Sequence, residues 1–124
     1  MSVRTEELFG LLNFDQARWD DALKNFSLVL IQEPWNGQAH YKSAQILQEL
    51  HRGPEADRHF RRNEEINRLS SRILELQSES LTGFEEIQRL NQLATAYEGL
   101  GQAQIAAQLR RQAEYLEAKP LGQN

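Results

Sequence analysis

The chain has 124 residues, of which 40% are hydrophobic and 26% charged, a composition typical of one soluble globular domain rather than a disordered chain. Its formal net charge of -4 argues against a general nucleic-acid binder, and the lack of cysteine excludes disulfides and thiolate chemistry. No apolar run approaches the roughly 18 residues of a membrane span, and the acidic start differs from a signal peptide. If the N-terminus is native, we expect a cytoplasmic protein.

The hydrophobic periodicity predicts six helices joined by short connections, at roughly 3–15, 18–33, 37–51, 54–78, 83–100 and 102–118. The three prolines, Pro34, Pro54 and Pro120, stand where a helix should begin or end. The first helix carries a broad apolar face, which consists of Leu8, Phe9, Leu11 and Leu12. Almost nothing reads as strand, so the predicted fold class is all-α.

A pair consisting of an alanine and a phenylalanine one helical turn later occurs twice in the chain. Ala22 and Phe26 form the first pair, and Ala56 and Phe60 form the second, so that each member recurs at a spacing of 34. A period of about 34 residues is typical of a repeating helix–turn–helix unit. In such a unit the small side chain lets two helices approach closely, and the aromatic ring fills the space beside it.

The stretch 19–26, closed by Pro34, resembles the second helix of a tetratricopeptide (TPR) repeat. Aligned on the small and aromatic positions, the chain gives three degenerate repeats at about residues 3–36, 37–70 and 87–120. The resemblance implies a TPR-like α-solenoid of about six antiparallel helices. We therefore expect residues 1–124 to form a single TPR-like helical domain.

The third repeat is displaced along the sequence. The spacing from Ala44 to Ala94 is 50 rather than 34, and so is the spacing from Ala56 to Ala106. Residues equal in number to this difference have therefore been inserted between repeats two and three. The insert falls within about 64–86, where the apolar spacing stays helical. We expect the fourth and fifth helices each to be about two turns longer, forming an elongated hairpin between repeats two and three. The stripe on the fourth helix consists of Ile66, Leu69, Ile73 and Leu76.

The sequence contains little that could support catalysis. His40, His51 and His59 lie on different helices or at a turn, and no metal-ligand spacing joins them. Adjacent acidic residues point in different directions on a helix, and there is no glycine-rich phosphate loop or serine elbow. We therefore predict no catalytic, cofactor-binding or metal-binding residues, and no enzyme activity.

The resemblance implies that the first helix of each repeat lines a concave groove. That groove would be rich in amides with a few aromatic rings, suited to an extended peptide whose backbone pairs with the amides. TPR domains that hold chaperone C-termini place lysine, arginine and asparagine there, whereas Glu7 and Leu11 stand at two of those positions here. A merely solvated groove is the alternative. The implied groove residues are Arg4, Glu7, Leu11, Phe14, Gln38, Tyr41, Gln45, Gln48, Gln88, Asn91 and Thr95.

A second candidate surface is a basic face of the fourth helix. Neighbouring acidic residues can pair with it three or four residues along the helix, which favours a solvated, salt-bridged face. The alternative is a surface for an acidic protein partner. The residues of this face are Arg58, Arg61, Arg62, Arg68 and Arg72.

Two functions follow from these patterns. The leading hypothesis is a non-enzymatic protein–protein interaction module or scaffold, which binds a peptide or protein on its concave face or extended hairpin and binds neither nucleic acid nor membrane. The alternative is a structural, homodimerising helical domain or one part of a larger multidomain protein. It rests on apolar residues, among them Phe84 and Ile87, that exceed what one hairpin can bury.

Overall fold

The computed structural model describes residues 2–119, which form six α-helices and, within that range, no strand. The all-α prediction is therefore confirmed, and the predicted helix boundaries agree with the structure to within one or two residues. Pro120 and the end predicted for the third repeat lie outside the described residues. The helices are α1 (Val3–Asp15), α2 (Trp19–Gln32), α3 (Gly37–Glu49), α4 (Gly53–Gln77), α5 (Gly83–Gly99) and α6 (Ala103–Ala118).

Helices α4 and α5 are the longest of the six, with 25 and 17 residues. Helix α4 has 25 residues where α2 has 14, whereas α5 has 17 where α1 and α3 have 13. The prediction of about two extra turns in each helix was therefore wrong in its division, since α4 is about three turns longer and α5 about one. Among the helices of residues 2–119, none combines the length and the apolar character needed to cross a bilayer.

The same turn follows α1, α3 and α5. Each turn has one residue in the left-handed region: Ala17 with φ 56°, His51 with φ 59° and Gly101 with φ 82°. The spacings between these three positions, 34 and 50, are the two intervals at which the alanine pattern recurs. Each turn is a Schellman motif, in which the next amide reaches back to a carbonyl five residues earlier. These hydrogen bonds join Arg18 N to Asn13 O, Arg52 N to Leu47 O and Gln102 N to Tyr97 O, at 2.8, 2.8 and 2.9 Å.

The chain divides into two compact units within α4, between Asn67 and Arg68. The N-terminal unit contains α1, α2, α3 and the first part of α4. The C-terminal unit contains the rest of α4, α5 and α6.

The N-terminal unit has a core built from the small and aromatic positions of the sequence pattern. Ala22 and Phe26 of α2 are fully buried, together with Val29, Ala39 and Ile46. A smaller cluster of Ala44, Leu47 and Ala56 joins α3 to α4, with Phe60 packed against it. The alanines thus occupy the close contacts that their spacing predicts.

Helix α1 faces this core differently from what its composition suggests. Its inward positions are Glu6 and Gly10, both buried, whereas Leu8, Phe9 and Leu12 are exposed. The broad apolar face read from the sequence is therefore mostly on the outside of α1, and only Leu11 of that face packs against the core.

The C-terminal unit buries Leu90, Leu93 and Ala94 of α5 with Ala106 and Ala113 of α6. The stripe on α4 is also covered, since Ile73 and Leu76 are buried and Leu69 is half-buried. These residues are therefore not the apolar surplus that the self-assembly hypothesis assumed. The large apolar side chains that are exposed in the described part of this unit are Leu74, Phe84, Ile105 and Tyr115.

Candidate functional site

A cleft between α4 and α5 is the candidate functional site of the C-terminal unit. It encloses about 400 Å³. It brings together two side chains predicted for the groove, Asn91 and Thr95, and one predicted for the basic face, Arg72. The sequence analysis assigned these residues to two separate surfaces. The lining residues are Leu69, Arg72, Asn91, Gln92, Thr95 and Ala96.

Hydrogen bonds within the chain hold the polar wall of this cleft. The Arg72 guanidinium donates from Nη2 to Gln92 Oε1 at 3.3 Å and from Nη1 to Glu75 Oε2 at 3.2 Å. The Thr95 hydroxyl donates to the Asn91 carbonyl at 3.0 Å and accepts from Arg110 Nη2 at 3.3 Å. The wall is therefore oriented before anything binds to it.

The chemistry of the cleft suits a polypeptide backbone. A carboxamide carries both a donor and an acceptor, so Asn91 and Gln92 can pair with the C=O and N–H groups of an extended segment. Arg72 uses two of the five N–H groups of its guanidinium within the chain. Leu69 and Ala96 provide an apolar floor. The lining holds no serine, cysteine or histidine that could act as a nucleophile or base.

The predicted groove residues at the start of α1 are engaged inside the N-terminal unit. Arg4 pairs with Glu7 at 3.1 Å and also with Glu33. Asn36 Nδ2 donates to Glu7 Oε2 at 3.0 Å and to Glu33 Oε1 at 3.1 Å. Arg4 and Glu7 therefore tie α1 to the connection between α2 and α3.

The apolar and aromatic residues predicted for the groove also take part in packing. Leu11 and Phe14 are half-buried against the core, and Lys42 Nζ lies 4.1 Å from the centre of the Phe14 ring. Tyr41 is partly exposed and meets Phe60 edge to face, with ring centres 5.6 Å apart. Tyr41 is therefore more exposed than Phe14.

The predicted glutamines differ in their surroundings. Gln38, Gln48 and Gln88 are exposed. Gln45 is half-buried, and its Oε1 is buried without a hydrogen-bond partner. Gln88 lies one turn before Asn91 and Gln92 on α5, so it extends the amide surface beside the cleft.

The basic face of α4 is only partly paired. Arg62 lies 3.0 Å from Glu65, and Arg72 lies 3.2 Å from Glu75, each pair separated by three residues. The side chains of Arg58, Arg61 and Arg68 are exposed. Surface pairs of this kind contribute little to stability.

The structure joins two histidines that the sequence analysis treated as separate. His40 and His59 approach with their Nδ1 atoms 2.9 Å apart, and His40 Nε2 lies 2.9 Å from the Pro34 carbonyl. A carbonyl only accepts, so neutral His40 donates from Nε2 and accepts at Nδ1 from the Nδ1–H of His59. His40 lies ten positions before Leu50, the C-cap of α3, and His59 lies nine positions after it. This near-symmetry about the turn is the signal that could have revealed the contact.

Burial is the main cause of the altered acidity of both rings. It lowers the pKa of His40, a change that the hydrogen bond to the Pro34 carbonyl opposes and that Arg62 reinforces. It also lowers the pKa of His59, with further lowering from the charges of His40 and Arg58. Within residues 2–119 no group of three or more histidine or acidic side chains is arranged to hold a metal ion.

A second cavity, of about 750 Å³, lies between α5 and α6. Sequence reasoning missed it, although Arg111 and Tyr115 are four residues apart and so share a side of α6. Arg89 donates from Nε to Glu86 Oε2 at 2.7 Å and from Nη1 to the Leu76 carbonyl at 3.2 Å. The lining residues are Glu86, Arg89, Leu90, Gln108, Arg111, Gln112, Tyr115 and Leu116.

Comparison with known proteins finds similarity in structure alone. No protein-family model matches the chain, and no curated protein sequence matches it. The solved structure of MamA is similar, with a TM-score of 0.53 and 17% sequence identity over 94% of this chain. This chain spans 58% of the length of that MamA chain. At this identity the similarity concerns the fold, which is a TPR-like all-α solenoid.

Proposed function

We propose that this chain is a non-enzymatic protein-interaction module that holds an extended peptide segment in the cleft between α4 and α5. The observation that carries the proposal is the convergence of Arg72, Asn91 and Gln92 over the apolar floor formed by Leu69 and Ala96. The TPR-like fold supports the general role, because stacked helices present such surfaces rigidly and little ordering entropy is lost on binding.

Three TPR-like repeats, at about 3–36, 37–70 and 87–120 with a helical insert at about 64–86, belong to this proposal. The supporting observation is the Schellman turn that recurs at Ala17, His51 and Gly101. A turn of the same hydrogen-bond pattern at the intervals of the alanine pattern is what displacement of the third repeat by an insert would produce.

The partner that fits the cleft is an extended segment with a small apolar side chain and with a group that accepts a hydrogen bond from a guanidinium. The apolar side chain would rest on Leu69 and Ala96. A carboxylate or backbone carbonyl of the partner would accept from Arg72, whose guanidinium has N–H groups besides those that it donates to Glu75 and Gln92. The amides of Asn91 and Gln92 would fix the direction of the segment.

A random-peptide display library, selected on the whole chain, tests the proposal. The selected peptides are then measured against a variant with Asn91→Ala and Gln92→Ala. We expect these peptides to bind the double variant about tenfold or more weakly, since two hydrogen bonds contribute about 1 kcal/mol each. The matched control is Gln104→Ala, an exposed position of α6 that does not line the cleft, and it should bind as wild type does.

Two outcomes would refute the cleft as the site. One is a library that yields no specific peptide. The other is a set of peptides that bind the double variant and the wild type equally well.

A further inference from the structure

The outward face of α1 carries an apolar patch. Leu8, Phe9 and Leu12 are exposed by 59%, 44% and 47%, and their spacing along α1 places them side by side. The buried side of α1 packs on the core through Leu11 and Phe14, and it includes Glu6, whose Oε2 accepts from Asn25 Nδ2 at 2.9 Å. The three side chains of the patch face the solvent instead.

Such a face is uncommon on a helix of a folded chain. Single exposed apolar residues are normal, but contiguous apolar patches mark contact sites. The C-terminal end of the patch is acidic, because Asp15 closes α1 and its last turn has no basic residue. The helix dipole adds partial negative charge at this end.

The cavity between α5 and α6 has complementary properties. Its apolar part is formed by Leu90 and Leu116, beside Tyr115, which is 70% exposed. The Glu86–Arg89 pair is neutral as a whole. Among the residues that the structure describes, Arg111 has no acidic partner, so the cavity carries one unbalanced positive charge.

We propose that the apolar face of α1 in one copy of the chain docks in the α5–α6 cavity of a second copy. Leu8, Phe9 and Leu12 would cover the apolar part of the cavity. The acidic end of α1 at Asp15 would meet Arg111. One occupant thus accounts for both the apolar face of α1 and the unbalanced charge in the cavity.

The contact is heterologous, since two different surfaces meet. It either closes into a ring or continues as an open chain of copies, and both forms satisfy the proposal. A single helix in a groove buries less area than a standard stable interface, so association is expected between about 10 µM and 1 mM. This inference does not depend on peptide binding in the α4–α5 cleft.

Sedimentation velocity over this concentration range tests the contact. The α1 variant is Leu12→Glu, and the cavity variant combines Arg111→Glu with Tyr115→Ser. All three positions are exposed, so the fold should persist, which circular dichroism checks. Wild type is expected to associate, and each variant alone is expected to remain a monomer. The control, Ile31→Glu, removes an apolar side chain of α2 that is 76% exposed, and it should associate as wild type does.

Mixing the two variants decides whether the contact is heterologous. An equimolar mixture retains one intact α1 face and one intact cavity, so it should form a dimer and nothing larger. A mixture that stays monomeric while wild type associates would overturn the proposal, and a cavity variant that associates by itself would overturn it in favour of α1 meeting α1. Wild type that remains a monomer up to about 1 mM would overturn it outright.

Discussion

Gly10 of α1 lies directly against the aromatic ring of Phe26 of α2. A Cβ atom added at Gly10 would come within 2.9 Å of Phe26 Cζ and 3.0 Å of Cε2. Phe26 is fully buried in the core, so its ring has no free space into which it could move. This contact sets how closely the first two helices approach, and it requires the smallest residue at position 10.

Gly10→Ala should therefore destabilise the protein. Alanine favours a helix over glycine by about 1 kcal/mol, but overfilling a packed contact costs about 1–3 kcal/mol. The difference between the two effects is a net loss of up to about 2 kcal/mol in the free energy of unfolding, measured by urea denaturation. Gly53→Ala is the matched control, because nothing lies within 4 Å of its added Cβ, and it should be neutral or slightly stabilising. Equal stability of Gly10→Ala and wild type would show that the ring can move.

Ala56→Leu should overfill the contact between α3 and α4. Ala56 is buried in a cluster with Ala44 and Leu47, so three added carbon atoms must displace neighbours at a cost of about 1–3 kcal/mol. The same substitution at the exposed Ala107 of α6 should change stability by less than about 0.5 kcal/mol. Thermal midpoints of the two variants measure the difference. An unchanged midpoint for Ala56→Leu would contradict the predicted alignment of the repeats.

Asn25 should contribute to stability through a polar chain between α1 and α2. Its Nδ2 donates to Glu6 Oε2 at 2.9 Å, and its Oδ1 accepts from Asn13 Nδ2 at 2.8 Å. Asn25→Ala leaves both partners unsatisfied at a cost of about 1–3 kcal/mol. In an Asn13→Ala background the same change should cost less, since one partner is already absent. Additive costs in the double variant would mean that the two residues act independently.

The His40–His59 contact should make stability fall in mild acid. Burial lowers the pKa of both rings in the folded chain, so the unfolded chain binds protons more readily. The contribution is therefore complete above the ordinary histidine pKa of 6.5 and is lost as the pH falls through the lowered folded values. Urea midpoints at about pH 7.5 and 5.5 measure the loss, because these values bracket the ordinary pKa.

Two variants identify the source of this pH dependence. His59→Gln removes one ring of the contact, so its stability should vary less between the two pH values than that of wild type. His51→Asn is the control, because His51 is exposed at a turn with φ 59°, which asparagine tolerates, and it should keep the wild-type slope. The same slope in His59→Gln and wild type would assign the effect to other groups.

Much of the fold could be read from particular residues. The spacing of Ala22 and Phe26 from Ala56 and Phe60 predicted helix pairs, and the structure buries Ala22, Phe26 and Ala56. The longer interval from Ala56 to Ala106 predicted equal extension of α4 and α5, but most of the added length lies in α4, which has 25 residues against 17 in α5. These features are local, since helical periodicity and turn chemistry depend on residues close together in the sequence.

The candidate site could be predicted only in part. Asn91 and Thr95 were expected to face a groove, but their meeting with Arg72 depends on how α4 packs on α5. Arg4 and Glu7 were also expected to face the groove. In the structure, however, Arg4 pairs with Glu33, and Glu7 accepts a hydrogen bond from Asn36. A sequence pattern shows on which face of a helix a side chain lies, but it does not show which residues of other helices contact that side chain.

The number of helices, their approximate bounds and the two spacings of the alanine pattern follow from the order of the residues, because each depends on contacts within one turn or one repeat. The contact of His40 with His59, and the outward direction of Leu8 and Phe9 while Glu6 is buried, arise from the packing of helices on one another. Side chains of α1 compete for one inward surface. Gly10 admits the Phe26 ring there, and this close approach fixes the rotation of α1 whatever the hydrophobicity of its other faces.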